Sequence, residues 1–325
     1  MLQKIAKSIA CILVVFWAAT AGAQQYPNKV ITMIVPFAAG GPSDTIARIL
    51  AQTMSASLGQ QIIIENVGGA GGTIGAARAA NSDPDGYTLF VHHIGHSTAP
   101  ALYSKLSYDP IANFEPIGII NDGASTFVSR NDLAFKDFKE FLDYVKTNKD
   151  KVNMANAGVG SASHLCDLLF QEAVQTKVTL IPYKGTGPAM NDMLGGTVDI
   201  MCDQSTNTTP HIKAGKIKVY AVTLTQRLGS MPDVPTADEA GLPGFSMSVW
   251  HALYAPKGTP KPIIETLTKA LQEALKDANL KQRYADLGAE AVPQERATPA
   301  ALAAHLKSEI DRWGPIIKKA GVSVN

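Results

Sequence analysis

Three turns in the sequence combine glycine with hydroxyl side chains at points where a strand should lead into a helix. They span residues 36–44, 68–73 and 157–164. Glycine lets a ligand approach the backbone closely, and the start of each following helix offers free N–H groups and about half a positive charge. Such turns can bind an anion without lysine or arginine. Glycine could instead only permit tight turns, but three repeats of the arrangement favour an anion site.

Asp44, in the first of these turns, has two interpretations. It lies four residues before Arg48 on a predicted helix, which is the spacing of an ion pair. A carboxylate in the first helical turn is also favourable for the helix dipole. Alternatively, Asp44 could reach a ligand through its backbone N–H or a bridging water. In the third turn, Ser161 or Ser163 could cap a helix or donate a hydrogen bond to a ligand.

Imidazoles and a carboxylate follow other predicted strands. His92, His93 and His96 come at the end of one strand, and Asp203 ends another. No cysteine or acidic residue stands at metal-ligand spacing from these histidines, so we expect no metal site. His93 and His96 could donate hydrogen bonds to a ligand carboxylate, or the rings could simply be packed.

Two motifs suggest an enzyme only weakly. Residues 95–99 resemble the Gly-x-Ser-x-Gly turn of serine hydrolases around Ser97, but that turn must open a helix, and Pro100 argues against one. The downstream acid and histidine candidates are Asp203, His251 and His305. Residues 69–75 resemble a dinucleotide-binding loop but lack its last glycine and the acidic residue further on. We therefore expect neither catalysis nor a cofactor.

The composition indicates a globular protein with a small partner. The 325 residues are 46% hydrophobic and 18% charged, and 29 Lys and Arg stand against 28 Asp and Glu, a net charge of +1. A disordered chain would be more polar, and a nucleic-acid-binding protein would normally carry a basic excess or patch. We expect neither class.

The first 23 residues have the order of a secretory signal peptide. Lys4 and Lys7 precede an apolar stretch, Ile9–Ala19, and the small residues Ala21 and Ala23 follow it. The apolar stretch is about 11 residues long, whereas a bilayer span takes about 20. We expect cleavage near Ala23 and export, with a buried N-terminal helix as the alternative.

Cys166 and Cys202 are the cysteines that remain after this cleavage. In an oxidising compartment they could form a disulfide. The sequence does not show whether their Cα atoms come close enough for one. Of the two possibilities, we expect two separate buried thiols.

Predicted strands and helices alternate along the chain. The first predicted unit has strands at 30–35, 62–64 and 87–91 and helices at 43–58 and 74–80. This βαβαβ pattern predicts a parallel, doubly wound sheet. After an irregular stretch at 100–114, a second α/β unit runs over residues 116–222. Two amphipathic helices near the C-terminus, at 261–276 and 298–320, should pack back on the first unit.

The return of those helices makes the first domain discontinuous. We predict one lobe at residues 24–125 and 231–325 and a second lobe at 126–230. The chain would cross between the lobes near residues 120–127 and 228–248, so hinge closure is the expected motion.

A series of motifs through the chain carries a family resemblance. The first are Pro36-Phe37-x-x-Gly40-Gly41-x-x-Asp44-x-x-Ala47-Arg48 and Gly69-Ala70-Gly71-Gly72-Thr73-Ile74-Gly75. Later ones are Gly158-x-Gly160-Ser161-x-Ser163-His164-Leu165, Pro182-Tyr183-Lys184-Gly185 and Ala255-Pro256-x-Gly258-Thr259-Pro260. The sequence resembles the solute-binding proteins of tripartite tricarboxylate transporters, the Bug family, over nearly all of residues 26–325.

The resemblance implies a type II periplasmic binding protein, an α/β fold of two doubly wound lobes joined by a two-strand hinge. Such a protein holds a small carboxylate between its lobes and delivers it to the permease subunits in the membrane. The residues that match the family's ligand clamp are Phe37, Gly40, Gly41, Pro42, Ser43, Asp44, Gly158, Gly160, Ser161, Ala162, Ser163 and His164. The ligand would be a di- or tricarboxylate or an aromatic diacid of the phthalate type.

The sequence departs from the family pattern at two places near the clamp. Asn156 stands where the family often has serine, and residues 92–96 are richer in imidazole than usual. The extra rings could suit an aromatic carboxylate or reach the far end of a linear one. We expect a monomeric, transport-linked receptor in the periplasm. A ligand sensor with the same cleft, or a secreted serine hydrolase, are the alternatives.

Overall fold

Ten strands form one sheet in the computed structural model, which describes residues 26–324. The strands are β1 (Ile31–Val35), β2 (Ile62–Asn66), β3 (Thr88–His93), β4 (Phe114–Arg130), β5 (Asn153–Asn156), β6 (Thr179–Pro182), β7 (Ile200–Gln204), β8 (Ile217–Val222), β9 (Ser248–Pro256) and β10 (Ala289–Ala291). Their order is β2-β1-β3-β9-β4-β7-β5-β6, and β8 and β10 pair with β4. Pairing is parallel within β2-β1-β3 and β6-β5-β7, as predicted for the first set, and antiparallel where β4 and β9 join the two sets.

Helices connect and cover these strands. They are α1 (Pro42–Leu58), α2 (Thr73–Ala80), α3 (Gly95–Leu102), α4 (Phe138–Thr147), α5 (Ala162–Ala173), α6 (Thr186–Leu194), α7 (Ser205–Lys213), α8 (Lys261–Ala274), α9 (Ala278–Asp286) and α10 (Pro299–Ala320). We call residues 31–102 the first unit and residues 138–222 the second unit. None of the helices described here is long and apolar enough to cross a membrane. The predicted signal peptide, residues 1–23, lies outside the described residues.

Helix α1 shows how the sequence sets an element that positions the site. Pro42 occupies its first position, where the missing N–H costs no helical hydrogen bond. Its apolar stripe is buried, at Ile46, Ala47, Leu50 and Met54. Gly59 ends the helix with a φ of 64°, a left-handed conformation that suits glycine.

The long strand β4 passes from one unit to the other, and the chain returns through residues 223–247. Thr223 ties the two crossings together, because its Oγ1 accepts from the Ser125 N–H at 2.9 Å and donates to the Met247 carbonyl at 2.7 Å. Near the C-terminus, α8 packs on α1 and β4, and α10 packs on α3 and β4. Both contacts match the expected return of these helices to the first unit.

The sequence analysis is wrong about the region after β3. Residues 95–102 form helix α3 although Pro100 lies inside it. A proline there removes one helical hydrogen bond. The helix is nevertheless held by tertiary packing, because most of its side chains are buried and it lies against α10. Helix α9 was not predicted either. Its sequence is largely polar, and only Leu280 and Tyr284 are buried.

The expectation of two separate thiols is also wrong. Cys166 in α5 and Cys202 in β7 form a disulfide, with their Cα atoms 6.0 Å apart. The two residues are 36 positions apart in sequence. They meet because α5 packs directly on β7, a tertiary contact that spacing alone does not reveal.

Candidate functional site

A narrow cavity, which we call the cleft, lies where the two units meet. The space inside it that the centre of a water-sized sphere can reach is about 10 Å³, so the two units meet closely here. The first unit lines it with Phe37, Pro42, Ser43 and His93, and the second with Ala157, Ala162, Ser163, Thr186, Asp203 and Gln204. Four helices begin at these residues: α1 at Pro42, α5 at Ala162, α6 at Thr186, and α7 directly after Gln204.

The convergence of helix N-termini gives the cleft its electrostatic character. Each N-terminus carries unpaired N–H groups and roughly half a positive charge. None of the ten lining residues is lysine or arginine. The cleft can therefore stabilise an anion through backbone N–H groups and hydroxyls. Because the cleft is narrow, the ligand that suits it is a small anion.

Asp44 is engaged in holding the first turn in place. Its carboxylate accepts hydrogen bonds from Arg48 Nε at 2.9 Å, the Gly40 N–H at 3.0 Å and Asn66 Nδ2 at 2.9 Å. Burial alone would raise the pKa of Asp44, but these bonds hold it below its ordinary value. The ion pair expected from the spacing is confirmed. The carboxylate thereby fixes the loop that begins α1.

Buried imidazoles support the first side of the cleft. The ring of His93 stacks on Phe37, with centroids 4.7 Å apart. Behind it, His251 Nε2 lies 3.1 Å from Ser43 Oγ. His93 and His251 are direct partners across β3 and β9, which explains how a residue so far along the chain reaches the start of α1.

His92 and His96 complete a set that we call the imidazole wall: His92, His93, His96 and His251. His96 is fully buried away from the cleft, and the rings around it are Phe90, Tyr108, Phe114 and Tyr254. Burial lowers the pKa of His93 and of His96 to about 3. It also lowers the pKa values of His92 and His251 well below the ordinary value. All four rings are therefore neutral at pH 7.

Two buried carboxyl groups, which we call the acidic wall, support the second side. Asp203 lines the cleft and accepts from Asn207 Nδ2 at 2.6 Å. Asp167 lies beneath it in α5 and accepts from Asn156 Nδ2 at 2.9 Å. Burial raises the pKa of Asp203 to about 6 and raises that of Asp167 as well.

The third glycine-rich turn begins α5. Ser161 caps the helix by accepting from the His164 N–H at 3.2 Å, and its hydroxyl also bonds Ser163 Oγ at 3.1 Å. Gly158 and Gly160 have φ angles of 99° and 86°, which glycine adopts without strain. The turn thus holds Ser163 at the cleft through hydrogen bonds of its own.

Contacts with backbone carbonyls of the second unit join it to residues 38–103 around the cleft. The Ala38 N–H donates to the Lys184 carbonyl at 2.9 Å. The Tyr103 hydroxyl donates to the Val159 carbonyl at 2.7 Å. Gly71 lies so close to Val159 that a side chain there would overlap the same carbonyl oxygen. Glycine at this seam lets the two backbones meet.

The predicted site residues fall into two groups. Those that line the cleft are Phe37, Pro42, Ser43, His93, Ala162, Ser163 and Asp203. Those placed around it are Gly40, Gly41, Asp44, Gly158, Gly160, Ser161 and His164, whereas His96 is buried among aromatic rings away from it. Ala157, Thr186 and Gln204 line it and were not among the predicted site residues, although Ala157 begins the third predicted turn. The segments 185–187 and 204–206 also follow strands with glycine or hydroxyl residues, so the rule used for the other turns would have found two of these three.

The residues considered for hydrolysis have other partners. Ser97 Oγ donates to the Ile94 carbonyl at 2.6 Å, and His305 packs on the Trp250 ring. Ser43 does contact His251, but His251 Nδ1 has no hydrogen-bond partner among residues 26–324. The ring therefore lacks the third group that orients a catalytic base. Within the same residues, no three or more His, Cys, Asp or Glu side chains are grouped as metal ligands.

Comparison with known proteins gives the family. The profile described as "Tripartite tricarboxylate transporter family receptor" matches residues 46–322. A relative from Agrobacterium vitis, the "UPF0065 protein in the TAR-I ttuE-ttuC' intergenic region", is 51% identical over 305 residues, covering 94% of this chain and 88% of its own length. The chain belongs to this receptor family of periplasmic solute-binding proteins.

Solved structures agree with the fold. The periplasmic binding protein BugD is 49% identical, with a TM-score of 0.90 over 92% of this chain and 100% of its own. MatC from Rhodopseudomonas palustris, solved with bound malate, is 42% identical, with a TM-score of 0.86 over 90% of this chain and 100% of its own. The mixed α/β architecture with one curled sheet is therefore that of a periplasmic binding protein.

Proposed function

We propose that this protein captures a small carboxylate in the cleft and delivers it to the permease subunits of a tripartite tricarboxylate transporter. The observation that carries the proposal is the convergence of four helix N-termini on one narrow cleft that no lysine or arginine lines. The malate bound to MatC, a relative of the same fold, supports a dicarboxylate as the ligand.

Backbone N–H groups would supply most of the binding energy. A hydrogen bond to a charged group contributes about 1.5–3 kcal/mol, and a micromolar complex needs roughly 8 kcal/mol. Several such bonds, from the starts of α1 and α5 and from the hydroxyls of Ser43, Ser163 and Thr186, would reach this value after the costs of ordering. We assign these residues, with Phe37, His93 and Asp203, to the ligand contacts.

Closure of two lobes would enclose the ligand. We assign residues 24–125 and 231–325 to one lobe and 126–230 to the other, with the hinge where β4 and residues 223–247 cross. A ligand that contacts both lobes favours the closed state, because only that state offers all of its contacts. The seam bonds of Ala38 and Tyr103 would form at the same time.

The remaining parts of the proposal follow from the receptor role. The chain would be exported by a signal peptide cleaved near Ala23, act as a monomer in the periplasm, and carry out no catalysis. A sensor that hands the ligand signal to another protein would use the same cleft. A pull-down of membrane extracts with the loaded and the unloaded protein distinguishes transporter subunits from a signalling partner.

Thermal shifts of residues 24–325 against a panel of carboxylates test the binding itself. The protein is first denatured and refolded to remove any co-purified ligand. A ligand at 100 times its dissociation constant adds about 2.7 kcal/mol of stability, which raises the melting temperature by several degrees. At least one di- or tricarboxylate should raise the melting temperature in this way. If no aliphatic, aromatic or amino-acid carboxylate changes the melting temperature, the proposal is contradicted.

A further inference from the structure

Asp203 has the wrong charge for a receptor of carboxylates. It is the one acidic residue among the ten that line the cleft, and it is buried. No lysine or arginine lines the cleft to neutralise it. Because like charges at short range repel each other, a ligand carboxylate placed beside an ionised Asp203 would be bound less tightly. The residue therefore needs a favourable partner on the ligand.

Protein donors leave Asp203 capacity for one more hydrogen bond. Its Oδ2 accepts from Asn207 Nδ2 at 2.6 Å, and the Gln204 N–H also stabilises the charged form. An ionised carboxylate offers about four lone-pair sites. The hydroxyl of Thr186, next to it in the cleft, stabilises the charged form as well. These three donors leave about one lone-pair site of the carboxylate for a donor on the ligand.

The disulfide fixes Asp203 relative to the anion-binding helix. Cys202 precedes Asp203 in β7, and its partner Cys166 lies in α5, whose first residues line the cleft. The covalent link holds the carboxylate at a constant position relative to the N–H groups at the start of α5. A ligand that uses both must carry its groups at a matching separation.

We propose that Asp203 selects carboxylates that also carry a hydroxyl or ammonium group, which donates a hydrogen bond to the Asp203 carboxylate. This inference rests on the proposed function, since it names the class of carboxylate that the cleft accepts. Hydroxyl and ammonium share the required chemistry, a donor close to a carboxylate. An unsubstituted diacid would bring a carboxylate next to Asp203 without offering it a further donor, which gives the cleft its discrimination.

Matched ligands test this in the wild-type chain by isothermal titration calorimetry. Succinate is compared with malate and aspartate, and glutarate with 2-hydroxyglutarate and glutamate. A charge-assisted hydrogen bond corresponds to roughly tenfold to hundredfold in affinity. We expect at least one substituted acid to bind tenfold or more tightly than its unsubstituted parent. Malate and 2-hydroxyglutarate would indicate a hydroxyl, and the amino acids an ammonium group.

Two variants in which an amide replaces a carboxyl group test whether Asp203 causes this preference for the substituted acid. In Asp203→Asn, the ratio of the two affinities should fall to about threefold or less, partly because succinate or glutarate then binds more tightly. Asp143→Asn, which removes an exposed carboxyl group in α4 of the same unit, should leave the preference unchanged. Equal binding of parent and substituted acids by the wild type, or an unchanged preference in Asp203→Asn, would overturn the inference while leaving carboxylate binding intact. Should Asp203→Asn fail to fold, the wild-type comparison alone decides. Binding of no carboxylate would overturn the proposed function as well.

Discussion

Both sides of the cleft present helix N-termini, but the buried side chains behind them differ between the two sides. Helix N-termini face the cleft from both units, but the imidazole wall backs one side and the acidic wall backs the other. Burial keeps the four rings of the first wall neutral and pushes the two carboxyls of the second toward neutrality. In the anion site that we propose, neutral or nearly neutral side chains of either kind thus lie behind the helix N-termini.

The two walls should nevertheless respond to pH with opposite signs. A histidine whose pKa is lowered in the fold binds fewer protons than in the unfolded chain below about pH 6.5, so acid favours unfolding. An aspartate whose pKa is raised binds more protons in the fold between about pH 4 and pH 6, so stability rises as the pH falls through that window. The following predictions separate these contributions.

Acidification should destabilise the protein strongly, because the imidazole wall has more members. With pKa values near 3 in the fold, His93 and His96 stay neutral at pH 5. Each of these two rings then costs about 2 kcal/mol between pH 7 and pH 5. His92 and His251, whose pKa values are also lowered by burial, add to this loss. Urea unfolding at pH 7 and pH 5 should show a much lower midpoint at pH 5.

The variant His96→Phe provides the control for this prediction. Neither nitrogen of His96 makes a hydrogen bond of ordinary geometry in the described chain, and its neighbours are aromatic, so phenylalanine suits the site. The urea midpoint of His96→Phe should therefore change less between pH 7 and pH 5 than that of the wild type, and the difference should correspond to the contribution of one buried ring. An equal pH dependence in variant and wild type would show that the imidazole wall is not the cause.

The disulfide should contribute the next largest effect, and only to the second unit. Closing a loop of 36 residues between Cys166 and Cys202 stabilises a fold by about 3–4 kcal/mol in the chain-entropy treatment. A reducing agent should therefore lower the urea midpoint of the wild type. It should leave the double variant Cys166→Ala, Cys202→Ala unaffected. A wild type that is insensitive to reduction would contradict the prediction.

Gly71→Ala should weaken ligand binding by a factor of 100 or more. The new Cβ would overlap the Val159 carbonyl oxygen and keep the units apart. Gly215→Ala is the matched control, because Gly215 has a similar φ of 65° with nothing near its Cβ position. Both variants should lose about 1 kcal/mol of stability from the positive φ. Calorimetric titration that finds equal affinities in the two variants would argue against closure along this seam.

Asp203→Asn should have the smallest effect on stability. Since the pKa of Asp203 is raised to about 6, its protonation offsets part of the acid-induced loss, by about 1 kcal/mol between pH 6 and pH 5. In Asp203→Asn, which lacks this titrating carboxyl group, the drop in urea midpoint from pH 7 to pH 5 should be larger than in the wild type. A smaller drop in the variant would mean that the acidic wall does not oppose the imidazole wall.

Local signals predicted the fold wherever they were strong. Helix α1 was predicted at 43–58 and spans Pro42–Leu58, because its apolar stripe is regular and Gly59 ends it. Helix α3 and the Cys166–Cys202 disulfide were mispredicted because both depend on packing between distant elements. A proline or an isolated cysteine carries no information about that packing.

The site was partly predictable for the same reason. Turns after parallel strands lie at one edge of each set, so the turns of Ser43 and of Ser163 could each be predicted from sequence. The family resemblance placed the two turns at one cleft. His251 could not be placed there, because it reaches Ser43 only through the antiparallel pairing of β3 with β9, 208 residues further along the chain. Non-local pairing of this kind is fixed by the fold.

A crystal structure of residues 24–325 with the tightest-binding carboxylate tests the central claim most directly. The account predicts a ligand carboxylate within about 3 Å of backbone N–H groups at the starts of α1 and α5 at the same time. The ligand should be enclosed between Phe37, Ser43 and Ser163. A carboxylate bound by one unit alone, or held outside the cleft by lysine or arginine side chains, would contradict it.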